Sequence, residues 1–149
     1  MLKVKNLMQT SVFTVAPDDN VDRVFFLLHY EKIRHLPVIE KNTVVGVVSD
    51  RDLYKALGPR TRSNTVVRAK DGSKLHVIPR KVRHIMHRGV ITIAPEASIS
   101  EAAALMARRK IGALPVVKSR KLVGIITSTD LLRSFAKMSA DLSRMMGKY

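Results

Sequence analysis

The chain repeats itself, and no other feature limits its possible folds as strongly. Sliding each residue onto the one 78 positions later lays Val4–Leu57 over Val82–Phe135 without a gap. Val4, Met8, Val12, Thr14, Ala16, Pro17, Leu27, Lys32, Ile33, Leu36, Pro37, Val38, Val45, Gly46, Asp52 and Leu53 recur unchanged, 16 of the 54 aligned positions. Most other pairs keep their character, as in Val47/Ile125, Val48/Ile126 and Ser49/Thr127. A copy this short buries too little apolar surface to be comfortable alone. Two copies are therefore expected to form one module.

Each copy predicts the same order of elements. A short β-rich piece, Val12–Val15 or Val90–Ile93, stops at Ala-Pro. A helix follows, with Asn20 as the expected cap in the first copy and Ser98 in the second, where Ser98-Ile-Ser-Glu101 reads as a capping box. Its apolar stripe is Val21, Val24, Phe25 and Leu28, matched by Ile99, Ala102, Ala103 and Met106. Leu36-Pro-Val-Ile39 and Leu114-Pro-Val-Val117 then read as strands that begin just after proline. Val44–Val48 and Leu122–Ile126 are too uniformly apolar for half-exposed strands and are expected to be covered on both faces. Ser49 or Thr127 caps a last helix bearing Asp52-Leu53 or Asp130-Leu131. The result is β-α-β-β-α, twice: an α+β fold of small sheets covered by helices.

Two regions lie outside the repeat. Residues 58–81 join the copies, and Thr65–Ile78 reads as a β-hairpin about Asp71-Gly72. The tail prolongs the last helix, with Leu131, Phe135, Met138, Leu142 and Met145 spaced 4-3-4-3. Such a seam either lies on its own domain or contacts another subunit.

The recurring chemistry is Gly46-Val-Val-Ser49-Asp-Arg-Asp52 and Gly124-Ile-Ile-Thr127-Ser-Thr-Asp130. A hydroxyl at a strand end and a carboxylate in the following first turn are explained by helix capping and the helix dipole. They also suit a ligand, because amides and a hydroxyl at a helix start accept phosphate and a carboxylate accepts both hydroxyls of a ribose. No Gly-rich phosphate loop, Ser-His-Asp set or His-Glu-x-x-His occurs, so no enzyme activity is expected. His84 and His87 lack a third ligand and read as surface residues, not a metal site. Zero cysteines exclude disulfides, thiol catalysis and Cys-ligated zinc. The longest apolar runs, such as Ala102–Ala107, fall far short of the roughly 20 residues that span a bilayer. The amino terminus has no signal-peptide core, so a cytoplasmic protein without membrane contact is expected.

Lys and Arg number 27 against 12 Asp and Glu, a net charge of +15. Residues 58–88 hold nine basic residues against Asp71 alone, hence +8 of it. Arg108, Arg109, Lys110, Lys118, Arg120 and Lys121 form a second acid-free run. A solvated surface explains both, and a nucleic-acid or other polyanion surface is the alternative. Three Tyr and four Phe, none within the basic runs, make base stacking poor.

The copies closely resemble CBS domains, named for cystathionine β-synthase, in the tandem pair called a Bateman module. The resemblance rests on Met-x(8)-Pro, Leu-Pro-Val and Gly-h-h-[Ser/Thr]-x-x-Asp, where h is apolar, and covers nearly the whole chain. It implies domains at 2–57 and 82–137, a basic linker at 58–81 and a helical extension at 138–149. The chain looks most like small stand-alone tandem proteins of that family, and somewhat like the CBS part of acetoin-utilisation proteins. The resemblance further implies a non-catalytic sensor that binds AMP, ADP or ATP in two clefts between the domains, needs no other cofactor and forms a homodimer. Carried over position by position, Ser49 and Asp52 would act with Ile91 and Ile111, and Thr127 and Asp130 with Phe13 and Ile33. Arg34, His35 and Arg51 are basic where the second copy has Gly112, Ala113 and Thr129. A phosphate-bearing ligand is therefore expected to prefer the Asp52 site.

Overall fold

Strand β1 (His35–Glu40) turns directly into β2 (Thr43–Ser49) as an antiparallel hairpin, and β5 (Ala113–Lys118) with β6 (Lys121–Thr127) repeats it residue for residue. The turns are Lys41-Asn42 and Ser119-Arg120, all four at positive φ. Two consecutive positive φ angles are what a two-residue turn needs to match the twist of the strands it joins. Helices α2 (Val21–Tyr30) and α3 (Ile99–Arg109) precede the hairpins. A 3-10 helix over Asp50–Ala56 follows the first hairpin and the long helix α4 (Ser128–Met146) the second. The structure is a computed structural model that describes residues 1–56, 65–68, 72, 74–77 and 80–147.

The chain divides into two compact units whose borders cut across the repeats. The central unit is Phe13–Val90; the terminal unit joins Met1–Val12 to Ile91–Tyr149. In the terminal unit the short helix α1 (Val4–Leu7) packs with the second repeat, and Val4 is fully buried among Ile93, Ala102, Met106, Leu114, Val116 and Ile126. In the central unit Val82 and Ile85 take the equivalent place, buried with Val21, Val24, Leu36, Val38 and Val48. Each hairpin is thus completed by the leading segment of the other copy.

These segments close the sheet edges. Gln9 exchanges both backbone hydrogen bonds with Ile125, and His87 does the same with Val47. On the opposite edge Val15 bridges Val38 and Ile93 bridges Val116, in parallel. The β-rich piece expected at the head of each copy is therefore a single bridging residue. An open two-stranded hairpin would offer unpaired amides on both sides, and here each edge has a partner. The strands β2 and β6 are accordingly covered at Gly46, Val48, Gly124, Ile125 and Ile126.

The cap expected at Asn20 is not made by its side chain. Val21 N–H donates to the Arg80 carbonyl instead, because the segment entering Val82 crosses the helix start. Ser98 does cap, its hydroxyl accepting from Glu101 N–H at 3.0 Å. The reciprocal capping box lies at Thr127 and Asp130. On α3, Ala103 is exposed and Leu105 is the residue turned toward the core.

Strands β3 (Thr65–Arg68) and β4 (Lys74–Val77) pair antiparallel in the linker. The expected turn residue Asp71 lies outside the described residues, as do residues 57–64. No described helix is long and apolar enough to cross a membrane.

Candidate functional site

The last residue of each Gly-bearing strand carries a hydroxyl, and the carboxylate three residues on folds back to it. Ser49 N–H donates to Asp52 Oδ2 at 2.8 Å and Ser49 Oγ to the same oxygen at 3.2 Å. Thr127 N–H reaches Asp130 Oδ2 at 2.8 Å and Thr127 Oγ1 reaches it at 2.9 Å. Asp130 N–H returns a bond to Thr127 Oγ1 at 3.3 Å. The strand end is held from beneath, since Asp50 N–H donates to the Arg34 carbonyl and Ser128 N–H to that of Gly112. One carboxylate oxygen is thereby fixed by the chain's own amide and hydroxyl in both units.

The second oxygen meets a side chain that sequence inspection did not single out for this role. In the central unit His87 Nε2 lies 2.7 Å from Asp52 Oδ1. In the terminal unit Gln9 Nε2 donates to Asp130 Oδ1 at 3.2 Å. Gln9 and His87 are 78 residues apart and so are copies of one position. Their signal was the repeat itself, since each follows a recurring Met and each sits beside the strand that carries the glycine. That glycine lets the segment approach. A Cβ at Gly46 would stand 2.8 Å from Met86 Sδ and 2.9 Å from the His87 carbonyl oxygen. At Gly124 it would stand 2.7 Å from Met8 Sδ and 2.8 Å from the Gln9 carbonyl oxygen.

The remaining expected site residues divide between the units. Phe13, Ile33, Arg34, His35, Ser49, Arg51 and Asp52 belong to the central unit, and Ile91, Ile111, Thr127 and Asp130 to the terminal one. Ile33, Ile91 and Ile111 pack partly buried against their own cores, while Phe13 is exposed. Of the basic residues, Arg34 Nε lies 3.2 Å from Asp50 Oδ2, both side chains exposed. His35 faces Ser49 across the hairpin. Its burial pushes the imidazole below its ordinary value of 6.5, against the pull of Asp50 and Asp52. The shift favours the neutral imidazole over the cation. Arg51 is exposed. Among the described residues no three metal-ligating side chains come together.

The basic run of the second copy is broken up by the fold. Arg108, Arg109 and Lys110 end α3, whereas Lys118, Arg120 and Lys121 surround the β5–β6 turn. Between them in the chain runs β5, roughly 17 Å long at about 3.3 Å per residue.

Residues 4–59 and 82–137 each match the CBS domain family. A CBS domain-containing protein of Dictyostelium discoideum is 35% identical over 138 residues, covering 91% of this chain and 92% of that protein. An inosine-5′-monophosphate dehydrogenase of Korarchaeum cryptofilum is 35% identical over 130 residues and 87% of this chain. The chain spans only 23% of that enzyme, and 48% of a relative in Methanocaldococcus jannaschii. The CBS domain pair of protein MJ0100, solved with 5′-methylthioadenosine and S-adenosyl-L-methionine, superposes with a TM-score of 0.75 at 26% identity, covering 93% of this chain and 98% of that one. CBSX2 in complex with AMP superposes with a TM-score of 0.70 at 27% identity, over 93% of this chain and 99% of that one. With the glycine strand, the hydroxyl and the fixed carboxylate present in both halves, the chain belongs to the CBS domain family and carries that domain twice in tandem.

Proposed function

We propose that the chain is a regulatory module that binds an adenosine-containing ligand through Asp52 and Asp130, without itself catalysing a reaction. The observation that carries this reading is the shared arrangement around one oxygen of each carboxylate. Each has Oδ2 pinned by a backbone amide and a hydroxyl, which orients the group toward a donor. A ribose diol is such a donor, and two solved relatives of the same fold hold adenosine compounds. Phe13, Ile33, Ile91 and Ile111 are the apolar surfaces offered to adenine. Ser49 and Thr127 are the hydroxyls offered to phosphate.

The two sites differ in charge. Arg34 and Arg51 flank the first, where the second has Gly112 and Thr129. A phosphate-bearing ligand such as AMP, ADP or ATP accordingly favours the Asp52 site, and an uncharged one such as 5′-methylthioadenosine the Asp130 site. The regulatory output runs through a homodimer built on α4, whose Phe135, Met138, Leu142 and Met145 are all half or more exposed.

Thermal unfolding with AMP, ADP, ATP, 5′-methylthioadenosine and S-adenosyl-L-methionine tests the reading. A specific ligand at 100 times its Kd adds about 2.7 kcal/mol to stability. No shift with any of the five overturns it. Calorimetry then separates the sites: Asp52→Ala removes most AMP binding and Asp130→Ala much less. Equal losses refute the asymmetry.

A further inference from the structure

The two carboxylates are alike on one oxygen and unlike on the other. Oδ1 faces an amide in the terminal unit and an imidazole in the central one. Gln9 cannot change charge. A histidine ordinarily gains a proton within the pH 5–8 range. The contact distances differ in the same sense, 3.2 Å for Gln9 and 2.7 Å for His87. The shorter one brings Nε2 and Oδ1 to close hydrogen-bonding distance. The Asp52 side chain is 2% exposed, whereas that of His87 is 68% exposed. The imidazole is thus open to solvent while its Nε2 sits on the oxygen of a buried acid. Asp130 is half-buried beside its amide partner.

We propose that His87 is a proton-controlled positioning residue that holds Asp52 Oδ1 against the ligand, so that the Asp52 site opens as His87 loses its proton while the Asp130 site, governed by Gln9, does not respond. This rests on the reading of Asp52 and Asp130 as hydroxyl-binding carboxylates. With imidazolium on Oδ1 the carboxylate is neutralised and one of its acceptor directions is taken. A ligand hydroxyl must then compete with an ion pair. Neutral imidazole donates a weaker bond, and its exposed ring can turn into solvent. A hydrogen bond between charged groups is stronger than one from a neutral donor, so the proton changes affinity by about tenfold. The charged groups adjoining the pair along the chain are Asp50 and Arg51 beside Asp52 and His84 and Arg88 beside His87, and Arg34 and His35 approach from the β1 side of the hairpin. Of these, His35 and His84 are also imidazoles, so substitution at His87 is the discriminating change.

The repeat supplies the test, because each partner can be exchanged for its own copy. Adenosine is the probe, carrying no phosphate whose charge would change with pH. Calorimetry from pH 5.5 to 7.5 in an Asp130→Asn background isolates the Asp52 site. There affinity rises about tenfold with pH, and adding His87→Gln abolishes the rise. In an Asp52→Asn background, which isolates the Asp130 site, affinity is flat and Gln9→His confers the rise. A pH slope that survives His87→Gln, or a Gln9→His site that stays flat, overturns the proposal while leaving adenosine binding intact. Absence of adenosine binding by the unsubstituted chain at every pH overturns the underlying reading and the proposal together.

Discussion

Gly46 and Gly124 show how much one missing methyl group decides. Both lie in extended strands at ordinary φ, so their role is not conformational. They admit the sulfur of a methionine and the next carbonyl oxygen to within 3 Å of where a Cβ would stand. The methionine can swing away, but the carbonyl is backbone, paired on both sides with Val47 or Ile125. Gly124→Ala therefore pushes Gln9 off the strand and is expected to destabilise by about 1–3 kcal/mol, as overpacking does. Urea denaturation measures this, and a loss below about 0.5 kcal/mol contradicts it. Since the displaced residue also touches Asp130, the same substitution is expected to weaken ligand binding there. The glycine was legible in sequence as a recurring strand residue. Its function was not, because the atoms that require it come from 115 positions away, at Gln9.

At the level of elements, the short helix α1 shows what tertiary contacts supply to a segment with little helix tendency of its own. Four residues cannot sustain a helix in water. Val4 N–H donates to the Ala97 carbonyl at 2.8 Å and Lys5 N–H to that of Pro95 at 3.0 Å. Lys3 and Lys5 both reach the Glu96 carboxylate, at 2.8 and 3.0 Å. Their hydrogen bonds pull Glu96 from its ordinary 4.5 down to about 2. A carboxylate depressed by folding stabilises fully above its unfolded value and loses that contribution as pH falls from 4.5 toward 2. The groups are half exposed, so the effect is local and screened by salt. Hydrogen exchange of the Val4 and Lys5 amides is its readout. At neutral pH, Glu96→Gln lowers their protection while that of Val117, bonded to Ile93, is unchanged. Unaltered protection at Val4 and Lys5 would show that burial of Val4 alone holds the segment.

For the molecule as a whole, α4 is the element least accounted for by its own unit. It runs 19 residues, none buried. Leu132, Phe135, Leu142, Met145 and Met146 are each more than half exposed. The apolar stripe from Leu132 to Met146 is about 21 Å long at 1.5 Å per residue, which is the kind of exposed apolar surface that marks interaction sites. Sedimentation of the unsubstituted chain is expected to give a dimer, and Phe135→Glu with Leu142→Glu a monomer that still binds ligand. A monomeric unsubstituted chain would refute the dimer. The charge of +15 takes on a different aspect at this scale. The two basic groups of the second copy lie on either side of β5, and Arg83 and Arg34 are paired with Asp18 and Asp50.

Much of this was written in the order of residues. The 78-residue offset, the period of α2 and the proline-led strands specify two copies of one α+β pattern, because helix and hairpin formation depend on neighbours a few positions apart. The Ser49–Asp52 and Thr127–Asp130 pairs were equally legible, each closing over three residues. What the order of residues did not show is which copy completes which hairpin. Val4 and Val82 are identical in the repeat, yet each is buried with the other copy's strands, a choice made by long-range packing that no local pattern encodes. That choice also placed Gln9 on Asp130 and His87 on Asp52. The recurrence of the carboxylate belongs to sequence; its partner, and with it the difference between the two sites, was decided only when distant segments met across a glycine.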